Sequence, residues 1–149
     1  MGGGGAKAII GAGLVCGVMD ITAAFLVYGH YGAKPMRLLQ GIAAGALGSR
    51  AYSGGVATAA LGLFFHFVIA FGAATVFWAL SRAVPFLLEQ AVASGILYGV
   101  AVYFFMQLVV IPMSAVRRGH PSMKMTLIGI VIHIFCVGLP IALMVRRGK

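Results

Sequence analysis

Acid is almost missing from this chain. Asp20 and Glu89 are the only carboxylate side chains among 149 residues. Charged residues of both signs make up only 9%, whereas a soluble domain carries about a quarter. That leaves too little polar surface to cover a water-soluble globule, so lipid must be the solvent for most of the chain. Cysteine is scarce as well. Cys16 and Cys136 both lie inside apolar runs, which excludes a disulfide framework and matches no zinc spacing. There are no paired carboxylates, nucleotide loop, nucleophile elbow or zinc-protease motif, so the chain is not expected to be an enzyme. The formal charge of +9 would suggest nucleic acid in a soluble protein, but no RNA- or DNA-binding motif accompanies it. In a membrane chain, cations flank the spans and meet anionic headgroups of the bilayer.

What the sequence does have is long apolar runs. A membrane-crossing helix needs about 20 mostly apolar residues, and four segments qualify: 8–28, 56–80, 91–113 and 125–145. Strand barrels need alternating segments of about ten residues, and these runs are longer and apolar on every side. Gly29, Gly32 and Pro35 punctuate the end of the first run, Gly54 and Gly55 the start of the second. Pro112 stands at the close of the third, and Pro140 lies within the fourth, where a kink is expected. A fifth apolar stretch, 36–48, is too short to cross. It reads as an interfacial or re-entrant helix, with the interfacial placement favoured and Pro35 suited to its first position. The opening MGGGG reads as flexible. The first run reads as a span and not a cleaved signal, because it continues through Tyr28 and Asp20 interrupts it. The expectation is therefore an all-α membrane protein: a single transmembrane domain over 1–149, with four transmembrane helices and one short extra helix.

Four crossings place both termini on one side. That side carries five Lys and Arg (Lys7, Arg82, Arg146, Arg147, Lys149), and the other carries six (Lys34, Arg37, Arg50, Arg117, Arg118, Lys124). Five against six gives no positive-inside bias. Small residues recur four apart as Gly13 with Gly17, Gly41 with Gly45, and Gly95 with Gly99. In lipid, such pairs let helix backbones approach closely. Packing within the chain is the plain reading, and a homo-oligomer seam the sharper one.

The polar residues inside the spans fall into layers. Measured from the side holding the termini, Cys16 is the ninth residue in and Asp20 the thirteenth. On the returning spans, His66 stands about fourteen residues from its end, His133 about twelve and Cys136 about nine. Asp20, His66 and His133 thus share a middle layer, with the cysteines in the next one. Gln107 is expected deeper, toward the opposite face. Cys16 and Asp20 are i and i+4, and His133 and Cys136 are i and i+3, so each pair is expected to share a helix face. A charged Asp at mid-membrane costs a few kcal/mol or more, which drives it toward a partner. The expectation is that His66 faces inward and meets Asp20, His133 or both.

Three readings of that layer are open. One is a buried polar clasp that fixes helix packing, as in a non-catalytic accessory subunit of a larger membrane complex. The second, which leads, is a midplane site for proton-linked or small-solute passage, because Asp and His exchange protons. The third is a cofactor site: haem b with His66 and His133 as axial ligands in an electron-transfer protein, or a metal held by His, Asp and Cys. No reinforcing ligand motif exists, so no cofactor is expected.

The segments MDITAAFLVYG, KPMRLLQGIAAGALG, ALGLFFHFVIAFGAATVFW, SGILYGVAVYFFMQLVVIPMSA and HIFCVGLPIALMVRR resemble a widespread group of small, uncharacterised bacterial inner-membrane proteins. The histidine-bearing second span and the proline-terminated third also resemble YagU-like inner-membrane proteins. The resemblance implies a helical, multi-pass protein of the bacterial cytoplasmic membrane and carries over no catalytic residues.

Overall fold

In a computed structural model, residues 3–116, 119 and 121–148 are described. Met1, Gly2, Arg117, Arg118, His120 and Lys149 lie outside the described residues. Four helices are long and apolar enough to cross a membrane. They are α1 (Gly3–His30), α3 (Gly55–Ala83), α4 (Ala91–Met113) and α5 (Met123–Arg147). A shorter α2 (Pro35–Leu47) stands between the first two. No strand occurs among the described residues. The chain is an all-α membrane protein.

Local sequence sets the helix ends. Gly3–Gly5 belong to α1 and are not a flexible leader; Gly5 packs so closely on Trp78 that a β-carbon there would sit 2.8 Å from its ring. Pro35 occupies the first turn of α2, where its missing N–H has no intrahelical partner to lose. Gly48, at φ 62°, terminates that helix in a conformation that side chains with a β-carbon rarely adopt. The Ser122 hydroxyl accepts from the Met125 N–H at 3.4 Å, so α5 begins two residues before the apolar run does. The spanning helices show no strong polar face, as expected of helices surrounded by lipid and one another.

Two of the spans contain a wider, π-helical turn: Met106–Val110 in α4 and His133–Gly138 in α5. The Ile111 N–H reaches back to the Met106 carbonyl, and the Leu139 N–H to that of Ile134, each five residues away. A proline follows each turn closely. Pro112 and Pro140 cannot donate to the carbonyls of Leu108 and Cys136, and their rings crowd those carbonyls. The helix widens one turn ahead of each ring, which is how the proline expected to kink α5 is accommodated.

Helix neighbours follow the small residues. Gly13 and Gly17 of α1 receive the rings of Phe71 and Phe67 from α3. Gly95 and Gly99 of α4 lie directly against Gly138 of α5, backbone on backbone. A β-carbon on Gly99 would sit 2.7 Å from Ile134 Cα. These seams are thus used within the chain. α1 also packs along α5, and α2 lies across α3 at Gly62, where the Leu39 carbonyl occupies the space of a β-carbon. Helices α3 and α4 share no extended contact. They are joined at one level, where the Tyr98 hydroxyl donates to the Ala73 carbonyl at 2.7 Å and the Tyr98 ring meets Phe77 edge-on.

The half of the bundle nearer the termini is solid. Ile9, Ala12, Cys16, Ala74, Phe77 and Ile141 belong to one buried apolar cluster drawn from α1, α3 and α5. The other half is closed by α2, whose Gln40 side chain is buried and donates to the Gly55 carbonyl at 3.0 Å. The Ala115 N–H beyond α4 donates to the Gly45 carbonyl at 2.8 Å, tying α2 to that end of the bundle.

Gly99→Ala is expected to destabilise the protein by about 1–3 kcal/mol through overpacking against rigid backbone. Gly72→Ala is expected to be neutral or stabilising, because nothing lies within 4 Å of its added carbon and Ala is the better helix former. Unfolding titrations in mixed micelles measure both.

Candidate functional site

Five of the polar side chains inside the spans line one cavity. Between the solid half and α2 lies a cleft of about 200 Å³. Its wall includes Cys16 and Asp20 from α1, His66 from α3, Gln107 from α4 and His133 from α5. Helix α2 contributes only Ile42. Asp20, His66 and His133 therefore border one space, and among the described residues no Lys, Arg or Glu joins Asp20 on its wall.

The bonding differs from the expected contact of His66 with Asp20 or His133. His66 Nε2 lies 2.8 Å from the Gly17 carbonyl oxygen across the α1–α3 seam. His133 Nδ1 lies 2.9 Å from the Gly129 carbonyl oxygen, one turn back on its own helix. Among the described residues no hydrogen bond or ion pair joins Asp20 to either histidine. The physical reason is proximity: a helix carbonyl is a fixed acceptor already in reach. Gly17 brings its carbonyl close by having no side chain, since a β-carbon there would sit 2.6 Å from Phe67 Cε1.

The same geometry fixes the tautomers. A carbonyl oxygen only accepts, so the facing ring nitrogen must carry the proton. Neutral His66 is then protonated on Nε2 and neutral His133 on Nδ1. His66 Nδ1 and His133 Nε2 remain as acceptors, with no partner among the described residues. The Tyr103 ring packs edge-on against His133 with centroids 5.3 Å apart, which holds that imidazole in place.

Gln107, expected deeper toward the opposite face, stands in the π turn of α4 and lines the cleft together with Asp20. One other expected position shifts. Cys136 does not border the cleft. The i, i+3 rule that put it on the His133 face assumes α-helical turns, and this segment is π-helical. Cys16 is buried and directs its thiol toward the Gly13 and Ala70 carbonyls at 3.5 and 3.9 Å. Tyr98 is not among the residues that the sequence singled out. Its hydroxyl closes the end of the gap between α3 and α4, and no sequence pattern marks that role.

Among the described residues no three His, Cys, Asp or Glu side chains are placed to hold a metal ion together. The cleft at about 200 Å³ is smaller than the roughly 300 Å³ at which sites for drug-sized ligands begin. What the arrangement can do is hold a small polar group or a proton. It presents a carboxylate, two imidazole acceptors and an amide within a low-dielectric surround.

His66→Phe removes the donor to Gly17, and Tyr98→Phe the donor to Ala73. Each is expected to cost about 0.6 kcal/mol and no more than about 1.7 kcal/mol, the range for such bonds in membranes. Unfolding free energies in mixed micelles give both values. Comparison of the chain with family models, with curated proteins and with solved structures yields no match.

Proposed function

We propose that this protein is a small multi-span membrane protein whose polar cleft serves proton-linked passage of a small solute. The observation that carries the reading is that Asp20, His66, Gln107 and His133 line one cleft while forming no clasp among themselves. A packing clasp would satisfy these groups against one another across helices. Here both histidines are anchored to backbone, and the carboxylate and both remaining ring nitrogens are left for something else.

The surroundings support gated access over an open pore. Toward the termini the route is blocked by the dry cluster around Phe77 and Ile141. Toward the other face a smaller cavity of about 140 Å³ shares Ile42, Ile69, Met106 and Ile111 with the polar cleft. It runs between α2 and the end of α4 as far as Ser114 and Val116. A site reached from one face and sealed from the other is the form that alternating exposure requires. Both π turns border the space, and such turns recur at functional sites.

In this mechanism Asp20 carries the exchangeable proton. His66 Nδ1 and His133 Nε2 accept hydrogen bonds from the bound group, and Gln107 accepts or donates. The polar residues that line the cleft with Asp20 are Cys16 on its own helix and His66, Gln107 and His133 on the others. The membrane is proposed to be a bacterial cytoplasmic membrane.

Reconstituted protein is expected to dissipate an imposed pH gradient faster than protein-free liposomes, read by an entrapped pH-sensitive dye. Asp20→Asn is expected to bring that rate to the protein-free level. An unchanged rate in Asp20→Asn would reject coupling through this carboxyl.

A further inference from the structure

We infer that the cleft takes lipophilic amines: an ammonium head held at Asp20, and an apolar tail lying in the gap between α3 and α4 that opens sideways to the bilayer. The inference rests on the polar cleft being a binding site, as proposed above, and adds the chemical class of the ligand and its route of entry.

The gap is the first observation. Because α3 and α4 separate beyond the Tyr98–Ala73 bond, an apolar groove of about 550 Å³ lies between them. Its size falls within the range of sites for drug-sized ligands. Its wall is apolar apart from Tyr98, whose hydroxyl is already bonded to Ala73. Ile69, Val76 and Phe105 on its rims face outward, where the bilayer would be. Gly72 leaves an open place in the α3 wall.

Continuity is the second observation. Ile69, Ala73, Val102 and Met106 border both the groove and the polar cleft. A molecule in the groove therefore reaches the polar groups without crossing the helix wall. Its head must be polar and compact to suit a cleft of about 200 Å³, and its tail must be apolar.

The head's chemistry follows from the acceptors. The cleft offers the Asp20 carboxylate, His66 Nδ1, His133 Nε2 and the Gln107 amide oxygen. Donors are fewer: the Gln107 amide N–H groups, since the Cys16 thiol is directed to backbone carbonyls. Among the described residues no cationic side chain lines the space. A carboxylate or phosphate head would meet Asp20 in a low-dielectric surround with nothing to neutralise it. A primary ammonium brings one positive charge and three N–H donors to one carboxylate and two imidazole nitrogens. Coupling to protons follows by charge balance, because the Asp20 carboxyl holds a proton or the ammonium but not both.

Native mass spectrometry of the detergent-solubilised protein tests this with three probes of one chain length: dodecylammonium, dodecyltrimethylammonium and dodecanoate. Wild type is expected to retain one dodecylammonium per chain. Dodecyltrimethylammonium, which keeps the charge but lacks N–H donors, is expected to bind more weakly, and dodecanoate not at all. Gly72→Phe fills the groove and Asp20→Asn removes the charge; each is expected to weaken dodecylammonium binding by at least about tenfold. Equal retention of dodecanoate by wild type would overturn the proposal without reference to any variant, and so would full-strength dodecylammonium binding in Gly72→Phe. Asp20-dependent proton flux in a protein that ignores all three probes would overturn this inference and leave the passage reading standing. Selective amine binding without that flux would do the reverse.

Discussion

In hydrocarbon, an imidazole N–H with no acceptor is costly, and the nearest permanent acceptors are the carbonyls of the helices themselves. Both mid-membrane histidines resolve the problem that way. His66 donates to Gly17 across a helix seam, and His133 donates to Gly129 on its own helix. Each bond fixes a ring, selects a tautomer and leaves the second nitrogen as an acceptor. The cleft's chemistry depends on this anchoring. Had the histidines bonded to Asp20 and to each other, their polar capacity would have been consumed in holding the bundle together.

The space exists because close packing is unevenly shared. Two glycines of α1 admit the phenylalanines of α3, and two of α4 meet a glycine of α5. Apolar side chains bring no hydrophobic gain over lipid tails, so close backbone approach decides which helices pair. Once those stripes are used, α3 and α4 meet chiefly at the Tyr98 bond and the Phe77 ring. The gap that results is apolar and faces outward, and it ends on the most polar place in the membrane-spanning part.

Much of this was legible in the residues. The runs 8–28, 56–80, 91–113 and 125–145 each lie inside a spanning helix, because runs so apolar have no other stable form in lipid. Counting depth along the spans brought Asp20, His66 and His133 to one level, and the three do line one cleft. Partners were not legible. The lure of opposite charges pointed His66 at Asp20, whereas a backbone acceptor exposed by Gly17 was closer. Cys136 was misplaced because regular α-helical spacing was assumed where Pro140 forces a wider turn. That proline was the available signal: it cannot bond the Cys136 carbonyl, which lies within the widened segment.

Direct measurement of the two imidazole tautomers tests the central claim most closely. Nitrogen-15 NMR of histidine-labelled protein in lipid bilayers reads them, with His66→Phe and His133→Phe assigning the signals. The account predicts neutral His66 protonated on Nε2 and neutral His133 protonated on Nδ1. Neutral rings carrying the opposite protons, Nδ1 on His66 and Nε2 on His133, would contradict it, because neither backbone bond could then form.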